Sequence, residues 1–364
     1  MVSVVMAVYN GKMFVKPTIE SVLSQTFKDF EFIIVDDGST DDTLKVIEAY
    51  CDDRICLITN EKNMGQTASL NVGLRNAAGT YIARTDAGDI SAPERFSRQV
   101  RYLETHSNVD ILGTAACQYD MGGNLCGNVF MPNRPSTILQ RILFACPVVH
   151  ISVMMRRDRI LPLGGYDESY RILADYGLWS RALRDGLKFW NLDEVLVGYL
   201  VTPDSFGYSH GRGRSIQEAS QIIREMASAL TGKHISVEQA EDIYRFFVFG
   251  PQDLDWKRVQ ETEDLFKALL LKLEIPGRDI DYLLLRSYLK IIARKNFCVF
   301  GNKPALIDAF FRILSKYRGG LSFHVVEDLC RGVQFLKCRF STTGIKAPAF
   351  AHNAMQQARE KGEA

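Results

Sequence analysis

Three short stretches carry side chains that could do chemistry together. "AVYN" puts Tyr9 and Asn10 at the end of an apolar run, "VDDG" puts Asp36 and Asp37 at the end of a second, and "ARTDAGD" puts Asp86 and Asp89 at the end of another. Carboxylates accept N–H and O–H groups from nucleobases and sugars. Two of them close together can hold Mg²⁺ or Mn²⁺, which in turn binds a diphosphate. Tyr9 offers a flat face for a base. Asp-Asp and Asp-Gly are also ordinary turn formers and helix caps. For one such stretch the two readings are even; three polar strand ends in one sheet favour a ligand. No G-x-x-x-x-G-K-[ST] is present and no G-x-G-x-x-G follows a strand, so neither common glycine loop cradles phosphate.

These residues need elements that bring them to one edge. Residues 2–9 form a β-branched apolar run that stops at the Asn10-Gly11 turn. Pro17 opens a helical pattern, and "FEFIIVDDGST" reads as a second strand. Ser39 and Asp42 resemble a capping box for a helix over 44–50. "RICLITN" is a third strand, "GQTASLNVGLRNAAG" a helix closed at Gly79, and "TYIARTD" a fourth strand. This alternation predicts an α/β fold with a mostly parallel central sheet flanked by helices. Ligands of such sheets bind beyond the carboxyl ends of the strands, where the acids fall.

Further on, "PSTILQRILFAC" reads as a helix, "ISVMMRRD" as a strand, "YGLWSRALRDGL" as an amphipathic helix and "EVLVGYLV" as a strand. From Ile216 the pattern is helical, with Ser236 as an N-cap. The organisation expected is an α/β domain over 1–212, a helical C-terminal region of unassigned role over 213–350, and a disordered polar tail over 351–364.

A chain of 364 residues has room for two such units. Its net charge of +1 gives no global signal for nucleic acid. Eight scattered cysteines without Cys-x-x-Cys, and no leader pattern, predict reduced thiols and a cytoplasmic protein. No window is apolar enough to span a membrane. "LLLRSYLKIIARK" and "FFRILSKYR" interleave basic with apolar residues. Such faces either lie peripherally on an anionic membrane surface, here the inner face, or pack on the rest of the protein; packing is the commoner outcome.

In order and spacing, "VSVVMAVYNG", "SVLSQTFKDFEFIIVDDGSTDDT", "NMGQTASLNVGL", "YIARTDAGDISAPERF", "HISVMMRRD", "GGYDESYRILADYGLWSRAL" and "EVLVGYLV" resemble the inverting family 2 glycosyltransferases of GT-A fold, over about residues 1–205. The resemblance implies a nucleotide-diphosphate sugar donor, UDP-linked, and a hydroxyl of a glycan or lipid-linked acceptor, in surface polysaccharide biosynthesis. It implies that Tyr9 flanks the base, that Asp37 hydrogen-bonds it with Asp36 beside it, and that Ala7 meets the nucleotide through its backbone. Arg84 and Asp86 would reach the nucleotide sugar, and Asp175 would be the general base. His150 stands where the family has a histidine near the acceptor; a buried, hydrogen-bonded histidine is an equal reading. The Q-x-x-R-W string of processive synthases is missing, which favours transfer of one sugar or a few.

Three positions depart from the family pattern. Gly88 stands where a second metal-binding acid is usual, Ala174 replaces the glutamate before the base, and Thr202 replaces a histidine near the metal. A divalent metal, Mn²⁺ or Mg²⁺, would then rest on Asp86 with Asp89 taking over as ligand. Without a metal, His210, Arg212 and Arg214 in the loop "YSHGRGRS" would grip phosphate, although a solvated loop is the commoner fate of such a stretch. Two rivals follow: a non-catalytic nucleotide-sugar-binding protein with a decayed metal site, and a nucleotidyltransferase.

Overall fold

The computed structural model describes residues 1–201, 212–249 and 256–275. Among these residues the chain divides into two compact units. One comprises 1–142, 146–201 and Arg212, the other 143–145, 213–249 and 256–275.

The first unit starts with β1 (Val2–Val8), α1 (Val15–Leu23), β2 (Phe30–Asp36), α2 (Thr43–Glu48), β3 (Ile55–Thr59), α3 (Gln66–Asn76) and β4 (Tyr81–Arg84). Every residue of β1 is buried, because the sheet is covered on both faces. Val4, Met6 and Val8 join Ile19 and Val22 of α1 and Phe32 and Ile34 of β2 in the core of one face. On the other face α3 approaches so closely that a Cβ on Gly73 would lie 2.5 Å from Val5 Cγ1.

These four strands are parallel, in the order β3-β2-β1-β4. β2 and β3 add on one side of β1 and β4 on the other. The strand order therefore reverses between β1 and β4, which opens a crevice beyond their carboxyl ends.

The chain continues through β5 (Ile90–Ser91), α4 (Arg95–Thr105), β6 (Ile111–Tyr119), β7 (Leu125–Val129), α5 (Pro135–Ile142), β8 (Met154–Arg156), α6 (Arg157–Ile160), α7 (Ala174–Arg184) and β9 (Phe189–Leu200). β8 fills the gap between β4 and β6 and is antiparallel to both. β9 pairs parallel with β6 and antiparallel with β5, and β7 pairs antiparallel with β6. The sheet is thus mixed: parallel through its first four strands, and antiparallel beyond them except where β6 meets β9.

Two local expectations change. Ser39 and Asp42 form no capping box, because Ser39 Oγ accepts the Asn10 N–H at 2.9 Å while Asp42 pairs with Lys12 and Lys45 at 2.6 and 2.8 Å. α3 stops at Asn76, short of Gly79, whose N–H goes to Ser3 Oγ at 2.7 Å.

The second unit is helical among its described residues: Arg212–Thr231, Val237–Tyr244 continued by a π-helical turn over Arg245–Phe249, and Trp256–Lys272. Ser236 is the N-cap that the sequence predicts, and with Gln239 it closes a reciprocal capping box at 3.1 and 2.9 Å. Phe144, Phe247 and Phe266 stack together in its interior. No helix among the described residues is long and apolar enough to cross a membrane. The basic-apolar segments over 283–295 and 310–318, and the tail over 351–364, lie outside the described residues.

Candidate active site

The two carboxylates at the end of β2 have different partners. Asp37 Oδ1 accepts from Asn60 Nδ2 at 2.9 Å and from the Met64 N–H at 2.8 Å, and its Oδ2 accepts the Gly65 N–H at 2.8 Å. Its own N–H donates to Val8 O at 2.8 Å. Asp37 therefore ties the loop after β3 to the ends of β1 and β2. Asp36 spends one oxygen on the Ser39 N–H at 3.1 Å, while its buried Oδ1 has no partner. A buried acceptor left unmade costs about 1–3 kcal/mol, more if charged. Asp36 thus keeps one buried oxygen without a hydrogen-bond partner, while both oxygens of Asp37 are engaged. Tyr9 follows β1 directly and is 44% exposed. Ala7 sits inside β1, paired with Val35. Asn10, at φ +50°, laces this edge to the next loop by accepting the Thr40 N–H at 2.8 Å.

At the end of β4, Arg84 is buried and ion-paired with Asp86. Asp86 is 28% exposed and also accepts from Gln66 Nε2 at 3.1 Å, at the start of α3. Asp89 is buried and turns back on its own loop, accepting the Asp86 N–H at 2.8 Å. Burial and the neighbouring Asp86 charge push the Asp89 carboxyl well above the ordinary carboxylate range, against the pull of Arg84 and Arg95. Between them Gly88 sits at φ +101°, its N–H on Thr18 Oγ1 at 2.9 Å and its carbonyl on the Tyr119 hydroxyl. This conformation is open to glycine and strained for a residue with a side chain. The glycine is thus required by the turn.

These residues do not fit a resident divalent metal. Asp86 already neutralises a buried guanidinium, Asp89 is held toward its protonated form inside its own turn, and position 88 has no side-chain oxygen. Among the described residues no three His, Cys, Asp or Glu side chains gather as metal ligands would. Thr202 and His210 lie outside the described residues.

Asp175 lies in the first turn of α7, where a carboxylate is favoured by the helix dipole. Its Oδ1 accepts the Tyr176 N–H at 2.8 Å and its Oδ2 faces Cys146 Sγ at 3.2 Å. His150 and Tyr166 form a hydrogen-bonded pair, Nε2 to hydroxyl, at 2.8 Å. Asn71 of α3 fixes Tyr166 by accepting its N–H and donating to its carbonyl, both at 2.8 Å. Burial, aided by the Arg84 charge, moves His150 from an ordinary 6.5 to about 4, so the imidazole is neutral at pH 7. Asp175 and Asp86 both oppose that shift, and both also act on Tyr166. The His150–Tyr166 pair is therefore where the carboxylate of α7 and the Arg84–Asp86 pair of β4 come within electrostatic reach of one another. Trp179 of α7 is part of the core.

Arg214 Nε is 2.8 Å from Glu218 Oε1, one turn along its own helix, and Arg212 is exposed at that helix's start. Cys146, Tyr166, Asn60 and Gln66 were not singled out by sequence. They are joined to the site by contacts over distances in the chain that no local pattern reveals.

A mixed sheet covered on both faces, with a crevice at its strand-order reversal rimmed by acids and by a tyrosine, defines an α/β protein of the open-sheet class. The profile of Glycosyl transferase family 2 matches residues 3–158. The putative glycosyltransferase EpsE of Bacillus subtilis is 38% identical over 209 residues, which cover 56% of this chain and 73% of EpsE. The UDP-Glc:alpha-D-GlcNAc-diphosphoundecaprenol beta-1,3-glucosyltransferase WfaP of Escherichia coli is 30% identical over 225 residues, covering 62% of this chain and 84% of WfaP. A crystal structure of Staphylococcus aureus TarS residues 1-349 in complex with UDP-GlcNAc shares the fold, with a TM-score of 0.52 at 18% identity over 88% of this chain and 93% of that one. The chain belongs to glycosyltransferase family 2.

Proposed function

We propose that the protein transfers a sugar from a UDP-linked donor to a hydroxyl of a glycan or lipid-linked acceptor, with inversion, in surface polysaccharide assembly. The observation that supports this reading is that Asp175, Arg84 and Asp86 all lie within electrostatic reach of the hydrogen-bonded His150–Tyr166 pair. A base on one side and a sugar-reaching acid on the other are what a single in-line displacement needs. Asp175 takes the acceptor proton as the new glycosidic bond forms, and the nucleoside diphosphate leaves from the opposite face of the anomeric carbon. Asp36 Oδ1 receives the N–H of the base, Tyr9 covers its face, and Asp86 receives a sugar hydroxyl. Neutral His150 is available to hydrogen-bond the acceptor through Tyr166. The name of WfaP, a glucosyltransferase acting on a diphosphoundecaprenol-linked sugar, supports the donor and the lipid-linked acceptor by similarity. No step is routed through a metal at Asp86 and Asp89.

The binding-protein reading keeps one supporting observation, the absence of a clustered metal site among the described residues. A panel of UDP-sugars separates the two. An enzyme releases UDP slowly from one donor without acceptor and faster with it, and that donor at 100-fold its dissociation constant adds about 2.7 kcal/mol of stability. Stabilisation with no UDP release at all would favour a binder.

A further inference from the structure

We propose that Cys146 is a positioning residue for the base: its thiol holds Asp175 Oδ2 in the orientation that receives the acceptor proton. This rests on the reading of Asp175 as the general base. Asp175 Oδ1 is already committed to the Tyr176 N–H, so Oδ2 is the oxygen that must meet the acceptor, and Cys146 Sγ stands 3.2 Å from it. The backbone that carries the thiol is held at two points. The Cys146 carbonyl accepts Arg141 Nε at 2.7 Å, and the carbonyl of the next residue, Pro147, accepts Asn191 Nδ2 at 3.0 Å. A residue before proline is restricted in its backbone, which further fixes Cys146. The Tyr176 hydroxyl donates to Ile142 O at 2.7 Å, so α7 meets this stretch of chain a second time.

The chemistry suits a thiol. Burial and the Asp175 charge keep the Cys146 thiol far above its ordinary range, so it stays an S–H donor across the working pH. An S–H is a weak donor. It fixes the carboxylate and favours its ionised form without binding it so strongly that its basicity is lost. A hydroxyl in the same place would hold the carboxylate more strongly and leave it a poorer base.

The test is the pH profile of kcat/KM for UDP-sugar turnover in wild type, Cys146→Ala and Cys146→Ser. In Cys146→Ala the acid limb moves upward by roughly half a unit or more, because the ionised form has lost a donor. The plateau falls on the order of 10-fold from misorientation of the base. Cys146→Ser returns the acid limb to the wild-type position or below it while its plateau stays reduced. The KM for donor is unchanged in both, which loss of packing alone would not leave intact. In the infrared, the S–H stretch assigned by difference against Cys146→Ala lies at low frequency and rises in Asp175→Asn. An active Cys146→Ala variant with an unmoved acid limb and full plateau overturns the proposal alone. No turnover in wild type overturns the reading of Asp175 as base, and this proposal with it.

Discussion

The acid pairs at the ends of β2 and β4 look alike in sequence and are used alike in one respect. In each, one carboxylate builds the loop and the other is left for a ligand. Asp37 carries three N–H donors of the following loop, and Asp89 carries the N–H of its own turn. Asp36 keeps a buried oxygen without a hydrogen-bond partner, and Asp86 keeps partial exposure. The difference lies in charge. Among the described residues Asp36 and Asp37 accept from neutral N–H groups, whereas Asp86 is paired with buried Arg84, and Arg95 lies near Asp89. The β2 end is suited to receive neutral N–H donors of a base. The β4 end is close to charge balance and suits a sugar hydroxyl better than a divalent cation.

The comparison is broken most severely at Asp37. Asp37→Ala removes three charge-assisted bonds and should lower stability by about 3–5 kcal/mol, read as a fall in urea midpoint, with nucleotide binding lost alongside. Asp36→Ala should leave the urea midpoint near wild type and weaken UDP by about 1–3 kcal/mol in calorimetry. If Asp37→Ala is the mild variant and Asp36→Ala the unstable one, the assignment of scaffold and ligand acid is reversed.

At the other end, Gly88→Asp inserts the acid that the family pattern usually carries. At φ +101° it should cost about 1–3 kcal/mol of stability, with Gly88→Ala costing a similar amount. Tighter Mn²⁺ binding by a stable Gly88→Asp protein would show that the turn tolerates the acid and that the metal site needs only that ligand.

The effect that is smallest near neutral pH concerns His150, which lies within electrostatic reach of Asp175 and Asp86. Its folded value of about 4 is below the ordinary 6.5, so as pH falls the unfolded chain takes up the proton first. Stability is then lost as pH drops from 6.5 toward 4, by up to about 1 kcal/mol per pH unit. His150→Gln should flatten this part of the urea-midpoint profile. An unchanged slope would mean that His150 titrates normally.

The parallel half of the sheet could be read from the sequence, because β-branched runs alternate there with helical patterns and each ends in a turn signal. The antiparallel half could not: β8 has only three residues, and β5 two. At the site, Asp36, Asp37, Asp86 and Asp175 could be found as residues, but their division of labour could not. Which acid a loop consumes depends on Asn60, Met64 and Gly65, more than twenty residues further on. Gly88 was visible as a departure; its positive φ, which explains it, is a property of the folded turn. The Cys146–Asp175 contact spans 29 residues and leaves no trace in local pattern.

The account stands or falls on Asp175 as the proton acceptor of a sugar transfer. The direct measurement is UDP release from the preferred UDP-sugar with acceptor, in wild type and Asp175→Asn, beside calorimetric UDP affinity for both. The amide is nearly isosteric and cannot take the proton, so turnover should fall by at least about 100-fold while UDP affinity stays within error of wild type. Asp175→Asn turnover close to wild type would contradict the account.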